Sequence, residues 1–363
     1  MSQQIITTTN VRECLQNIFK KENIKKILFV CDSAFPFLKT KEEYLNLKIP
    51  YVIFDQFTPN PLYEDVIKGV KLFEDNHCDA ILAVGGGSSI DVAKCIKLYS
   101  GLDKNTVYLE QEYTSNKIPL IAIPTTSGTG SESTRYAVIY YEGKKQSVTH
   151  TSIIPSYAIL DYRNLDTLPL YQKKCTMLDA MCQSIESWWS VNATEESKAY
   201  SKKALTMIRE NIEGYLNNEV QGNMNMLIAA NYAGQAINIT QTTAAHAMSY
   251  KLTSLYGIPH GRAVFICLPF IWRYMHEQGV LPEVFTEIAK TLRCATTLEA
   301  VAYLFHLNYE LFEKDKVVMK EKDIDLLVAS VNPTRLKNNP LELSKETIYE
   351  LYREIVEGNC DVR

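Results

Sequence analysis

Hydrophobic positions in the first 160 or so residues come in short unbroken runs. Lys26-Ile27-Leu28-Phe29-Val30-Cys31 ends at Asp32, and Tyr51-Val52-Ile53-Phe54, Ala80-Ile81-Leu82-Ala83-Val84 and Leu120-Ile121-Ala122-Ile123 repeat the pattern. Runs without alternation suit parallel strands covered on both faces. Between them, Glu64 to Asn76 and Ile90 to Leu98 carry helical spacing. Strand and helix in alternation predict a doubly wound sheet. The segment 136–148 predicts a hairpin turning at Glu142-Gly143.

Beyond about residue 165 the period changes. Met177 to Trp189, Glu196 to Asn211, Met224 to Ile239 and Leu341 to Val356 have helical spacing and few strand signals. The expected architecture is an α/β Rossmann-like domain over 1–163 followed by an all-α domain over 164–363. A crevice between two such halves is the natural place for an active site.

The 363 residues are 46% hydrophobic, enough for two cores. A formal net charge of -4 implies no strongly basic face, so nucleic acid is not an expected partner. The polar start MSQQIITTTNVREC has no apolar core of a signal peptide. No apolar run reaches the roughly 18 residues of a membrane span, so no membrane partner is expected. Nine cysteines lie scattered and never as C-x-x-C, which argues against a disulfide framework and fits the cytoplasm.

Two loops carry candidate chemistry. Gly85-Gly86-Gly87-Ser88-Ser89-Ile90-Asp91-Val92-Ala93-Lys94 leaves a predicted strand and opens a predicted helix. Glycine lets backbone approach a ligand, and a helix N-terminus offers free amides and partial positive charge to a pyrophosphate. Asp91 and Lys94 would order the turn and its helix. The pattern is not G-x-G-x-x-G, and a tight turn without ligand would also use it. The second loop holds Thr125, Thr126, Ser127 and Thr129, whose hydroxyls suit phosphate, ribose or carboxamide. It too leaves the C-terminal end of a predicted strand, the edge where open sheets bind ligands.

The helical half contributes metal-ligating types. Asp179 and Gln183 are four apart and share one helical face, while His246 and His260 lie further on. One carboxylate and two imidazoles suit zinc or iron with a position left open for substrate. Spacing alone leaves the alternative of bonded core histidines open.

The stretches GGGSSIDVAK (85–94), PTTSGTGSE (124–132), YAILDYRNLDTLP (157–169), LDAMCQSIES (178–187) and HAMSYKLTSLYGIPHG (246–261) together resemble the iron-containing alcohol dehydrogenase family. The resemblance spans most of the chain. It implies the dehydroquinate synthase-like fold of that family, a cleft metal and an NAD(P)H-linked reduction of an aldehyde to an alcohol. By position, Asp179, His246 and His260 match three metal ligands, and Gln183 stands where the family commonly has a fourth, histidine ligand. A Gln carbonyl is a weaker donor, so the implied ion is Fe2+ or Zn2+ without a choice between them. Tyr250 replaces a histidine that helps move protons in many members, and a phenol is a poor shuttle near neutrality. Asp32 matches an acidic position that favours NAD(H) over NADP(H), because a carboxylate binds the ribose 2′-hydroxyl and repels a 2′-phosphate.

Two further stretches, Gln183 to Asn192 and Ser330 to Pro340, resemble a subgroup that reduces phosphonoacetaldehyde to 2-hydroxyethylphosphonate. A phosphonate needs cationic partners, and Arg makes the best forked contact. Arg262, two residues past His260, is the first candidate, with Lys251, Arg335 and Lys337 behind it. The other readings are a generic short-chain alcohol dehydrogenase, a dehydroquinate-synthase-like lyase and a non-catalytic nucleotide-binding protein. By family analogy the chain would form a homodimer or larger assembly.

Overall fold

The computed structural model describes residues 3–360, which divide into two compact units. The first comprises the chain to Pro169 together with Asn217–Gly234. The second comprises Leu170–Leu216 and the chain from Gln235 onward. The boundary expected near 163/164 thus lies a few residues later, and one later segment returns to the first unit.

In the first unit, β1 (Gln4–Thr7), α1 (Val11–Lys21), β2 (Ile27–Cys31), α2 (Lys41–Leu45), β3 (Tyr51–Phe54), α3 (Tyr63–Asp75), β4 (Ala80–Gly85), α4 (Gly87–Tyr99), β5 (Leu120–Pro124), β6 (Tyr136–Tyr141), β7 (Lys144–Thr149) and β8 (Tyr157–Leu160) follow in order. Six strands form one sheet in the order β1-β8-β5-β4-β2-β3, and every pairing in it is parallel. Strands β2, β4 and β5 are buried along their whole length, as their unbroken apolar runs require. Chain order reverses between β2 and β4, since β3 lies on one side of β2 and β4 on the other. Ligands of open sheets bind at the carboxyl ends of strands beside such a switch point.

The hairpin of β6 and β7 forms as predicted. Glu142 and Gly143 both take positive φ, 49° and 71°, as a two-residue turn with right-handed twist demands. The segment 217–234 is held to the first unit by polar bonds and by backbone contact. Asn231 Nδ2 donates to Glu132 Oε1 at 2.9 Å and to Ser133 Oγ at 2.7 Å. A Cβ on Gly234 would lie 2.5 Å from the Gly130 carbonyl oxygen, so only glycine fits there.

The second unit is helical. α5 (Leu170–Trp189), α6 (Glu195–Leu216), α7 (Val220–Thr240, shared with the first unit), α8 (Ala244–Tyr256) and α9 (His260–Glu277) lead into α10 (Pro282–Thr291), α11 (Thr297–Phe312), α12 (Ile324–Ala329), α13 (Pro333–Leu336) and α14 (Lys345–Cys360). α5 is its central helix, with nearly every side chain from Met177 to Trp189 buried. Gly257, at φ 66°, ends α8, and Pro259 caps α9 so that His260 is its first residue. No helix among the described residues is long and apolar enough to cross a membrane.

Candidate functional site

The first unit assembles its two polar loops at the carboxyl edge of β2, β4 and β5. With glycine at the cap position Gly86, no side-chain cap bond is made at the start of α4, a helix end whose amides suit an anion. Asp32, at the end of β2, shapes this turn. Its Oδ2 accepts from the Gly86 amide at 3.3 Å and from Ser89 Oγ at 2.8 Å, and Oδ1 accepts from the Ala34 amide at 2.9 Å. A Cβ on Gly85 would meet Ser89 Oγ at 2.1 Å, and one on Gly87 would meet the Thr129 methyl at 2.8 Å. The glycines therefore let the turn close onto Asp32 and onto the second loop. Ser88, Thr126 and Thr129 are partly exposed there, whereas Ser89 and Ser127 are fully buried and Thr125 nearly so.

Asp91 and Lys94 face inward and hold the two loops together. Ser131 Oγ donates to Asp91 Oδ1 at 2.5 Å and the Val138 amide to Oδ2 at 2.9 Å. Lys94 Nζ donates to Ser131 Oγ and Thr134 Oγ1, each at 3.0 Å, and to the Tyr136 carbonyl at 2.7 Å. Burial lowers the Lys94 ammonium to about 8, with Asp91 and Glu132 pulling the other way. The Lys94 side chain is fully buried. It is thus a strut of the loops and not a group open to a cofactor.

The second unit gathers the metal candidates. Asp179, His246 and His260 each present one ligand atom, and these atoms lie within 4.8 Å of one another. His246 Nε2 stands 3.4 Å from Asp179 Oδ1, and the rings of His246 and His260 are 5.4 Å apart at their centroids. Helix α5 supplies Asp179, α8 supplies His246 and the first residue of α9 supplies His260. Gly261 makes the approach possible, because a Cβ there would sit 2.1 Å from the Cys175 carbonyl oxygen and 2.7 Å from the Asp179 Cβ. Gln183, one turn beyond Asp179 and equally buried, bonds to the Asp179 carboxylate.

These residues fit a divalent ion. Asp179 Oδ1 is buried and makes no well-formed hydrogen bond, its nearest polar neighbour being His246 Nε2 at a long 3.4 Å, an arrangement that suits a cation held between the two. The donor set suits zinc or iron. Burial alone would raise the Asp179 carboxyl, but the close His246 ring and the charges of both imidazoles hold it below its usual value. Burial alone would likewise depress His246, yet the Glu186 carboxylate and the Asp179 bond raise it to about 9.

Tyr250 stacks on His260, with centroids 5.8 Å apart and planes 11° from parallel. Burial and the charges of Glu186 and Asp179 push its phenol up, while a bond from the Arg335 guanidinium offsets part of this. The phenol therefore stays protonated near neutrality and can donate but not act as a base. Arg335 Nη1 also donates to Gln241 Oε1 at 3.3 Å. The two stretches 183–192 and 330–340 meet at this place: the Val191 amide donates to the Asn338 carbonyl at 3.0 Å, and Asn192 Nδ2 donates to Asn338 Oδ1 at 3.1 Å.

Arg262 does not face the metal candidates. Its guanidinium donates to the Tyr171 hydroxyl at 3.2 Å and to the Asp315 carbonyl at 2.5 Å, and it lies 4.1 Å over the Phe312 ring. Two residues along a helix is a turn of about 200°, so a side chain at Arg262 leaves the opposite face from His260. The expectation that it binds substrate is corrected on this ground. Lys337 is exposed and Lys251 partly so, and no bond ties either to the metal candidates.

Glu186 is the functional side chain that spacing had not singled out. Its signal was present, since Asp179, Gln183 and Glu186 stand at i, i+4 and i+7 on one face of α5.

Comparison with known proteins is consistent across the chain. Residues 2–162 match the family described as iron-containing alcohol dehydrogenase, and residues 174–356 match the C-terminal region of the same family. The chain is 30% identical over 305 residues to the protein named probable alcohol dehydrogenase EutG of Salmonella typhimurium, covering 80% of this chain and 76% of that one. It is 27% identical over 363 residues to 1,3-propanediol dehydrogenase of Citrobacter freundii, covering 91% of each. Among solved structures, an iron-containing alcohol dehydrogenase of Thermotoga maritima superposes with a TM-score of 0.86 at 28% identity, covering 98% of both chains.

Proposed function

The chain belongs to the iron-containing alcohol dehydrogenase family, a family of metal-containing, NAD-linked oxidoreductases of alcohols and aldehydes, and on that premise we propose that it reduces phosphonoacetaldehyde to 2-hydroxyethylphosphonate with NADH. Asp179, His246 and His260 would hold Fe2+ or Zn2+, with Gln183 as a weaker fourth donor. When bound, the ion supplies Lewis acidity toward a carbonyl oxygen and the dinucleotide supplies the hydride.

The chain's own residues do the positioning. The open amides of α4 bind pyrophosphate, with Gly85, Gly86 and Gly87 giving it room and Ser88, Thr126 and Thr129 at hand for its oxygens. Asp32 selects a free ribose 2′-hydroxyl and so prefers NADH. Protonated Tyr250, stacked on His260, donates a hydrogen bond to the nascent alkoxide. The protein acts as a homodimer or larger assembly.

One observation carries the phosphonate reading. Arg335 is the guanidinium that reaches the side chain stacked on a metal ligand, and it is brought there by the two stretches that resemble phosphonoacetaldehyde reductases. A forked cation beside Tyr250 suits a short aldehyde whose far end is a dianion. The test is a panel of aldehydes with purified, metal-analysed protein, followed as NADH absorbance at 340 nm. Phosphonoacetaldehyde should exceed propanal in kcat/KM by at least tenfold. Equal values would reduce the function to that of a generic short-chain alcohol dehydrogenase.

A further inference from the structure

Glu186 is a fully buried carboxylate with five donors around it. Its Oε1 accepts from the Thr243 amide at 3.1 Å, the Thr243 hydroxyl at 2.8 Å, the Ala245 amide at 3.0 Å and the His246 amide at 3.3 Å. Those groups form the start of α8, where backbone amides lack intrahelical partners and a negative charge is favoured. Its other oxygen, Oε2, faces His246 Nδ1 in a close contact. Trp189, one turn further along α5, donates its Nε1 to Thr243 Oγ1 at 3.0 Å and closes the cluster.

We infer that Glu186 is the positioning residue of the metal centre: it anchors α8 by its N-terminus and sets the His246 ring so that Nδ1 carries the proton and Nε2 is free for the ion. This rests on the reading of Asp179, His246 and His260 as metal ligands. A carboxylate can only accept at Nδ1, so it selects the imidazole tautomer whose Nε2 lone pair points at Asp179. The five donors in turn leave Glu186 no second orientation. Because α5 also carries Asp179, one helix supplies both a ligand and the group that aims another ligand. Loss of such an outer carboxylate typically lowers metal affinity by about 10- to 100-fold.

Glu186→Gln separates aiming from anchoring. The amide keeps side-chain size and an acceptor oxygen for α8, but the –NH2 it turns to His246 donates where the carboxylate accepted, and this favours the tautomer with its proton on Nε2. Zn2+ affinity, measured by competition with a chromophoric chelator at about pH 9.5, where the His246 proton held by Glu186 no longer competes with the ion in either protein, should fall at least tenfold, and the d–d bands of the Co2+-loaded protein should change in shape. Far-UV circular dichroism and NADH affinity should stay unaltered. Thr243→Val, which removes one bond to the same carboxylate but leaves the His246 contact, should keep Zn2+ affinity within about threefold. A folded Glu186→Gln protein that binds Zn2+ as wild type overturns the inference, whereas wild-type protein that fails to bind Zn2+ overturns the metal reading beneath it. Should Glu186→Gln fail to fold, the wild-type Zn2+ form decides. Long-range 1H–15N spectra of its histidines should show His246 protonated at Nδ1 and metal-bound at Nε2, and the reverse assignment overturns the inference.

Discussion

Raising the pH should strengthen metal uptake well beyond the range where an ordinary histidine titrates. In the metal-free protein His246 sits between Asp179 and Glu186 and holds its proton up to about 9, against 6.5 for an ordinary imidazole. The gap corresponds to a proton affinity roughly 300-fold higher, about 3 kcal/mol. An incoming ion must displace that proton, so each pH step below 9 costs up to a factor of ten in apparent affinity. Between pH 7 and pH 9 the dissociation constant for Zn2+ should therefore fall by up to about 100-fold and then level off. Stability of the metal-free protein changes in the opposite direction. The proton-linked stabilisation of the metal-free protein is fully present below pH 6.5 and is lost as pH rises through about 9. Chelator competition at half-unit pH steps measures the first effect, and thermal unfolding of metal-stripped protein measures the second. An affinity that is already flat from pH 7 upward would show that no such proton has to leave and would refute the competition between proton and ion at His246.

Four substitutions test other parts of the structure. Arg335→Ala should raise KM for phosphonoacetaldehyde at least tenfold and leave propanal unchanged, whereas Arg262→Ala should lower the melting temperature by several degrees, since it removes the stack on Phe312 and the bonds to Tyr171 and Asp315, without changing the ratio of KM values. Gly261→Ala places a methyl 2.1 Å from the Cys175 carbonyl oxygen; pushing α9 off α5 should cost about 1–3 kcal/mol in chemical denaturation and cut Zn2+ binding by tenfold or more. Asp32→Asn keeps an acceptor for the glycine turn but removes the charge, so discrimination between NADH and NADPH, read as the ratio of kcat/KM values, should shrink by at least tenfold.

Much of this fold is written in the chain itself. Strands β2, β4 and β5 announce themselves because a strand covered on both faces has no polar positions to spare, and Glu142-Gly143 specifies its turn because few residues accept two positive φ values in succession. The edge strand β1, Gln4–Thr7, is mostly exposed and carries no such run, so nothing in its residues distinguishes it from a polar terminus. The return of 217–234 to the first unit depends on Gly130 and Gly234 meeting, a contact between residues far apart along the chain. The triple-glycine turn, the hydroxyl loop and the candidate ligands Asp179, His246 and His260 are legible as residues and in order, as motifs of a family. Which cation faces the site is not. Arg262 is the nearer in sequence to a ligand, but its place on α9 sends it to Phe312, while Arg335 reaches Tyr250 from the far end of the chain. Helical period states which residues share a face: it places Gln183 beside Asp179, and the same period holds Glu186, which spacing alone had not singled out. Only the packing of α8 against that face put His246 Nδ1 and four more donors onto one carboxylate, because contacts across helices are decided by where backbones can approach and not by spacing along either one.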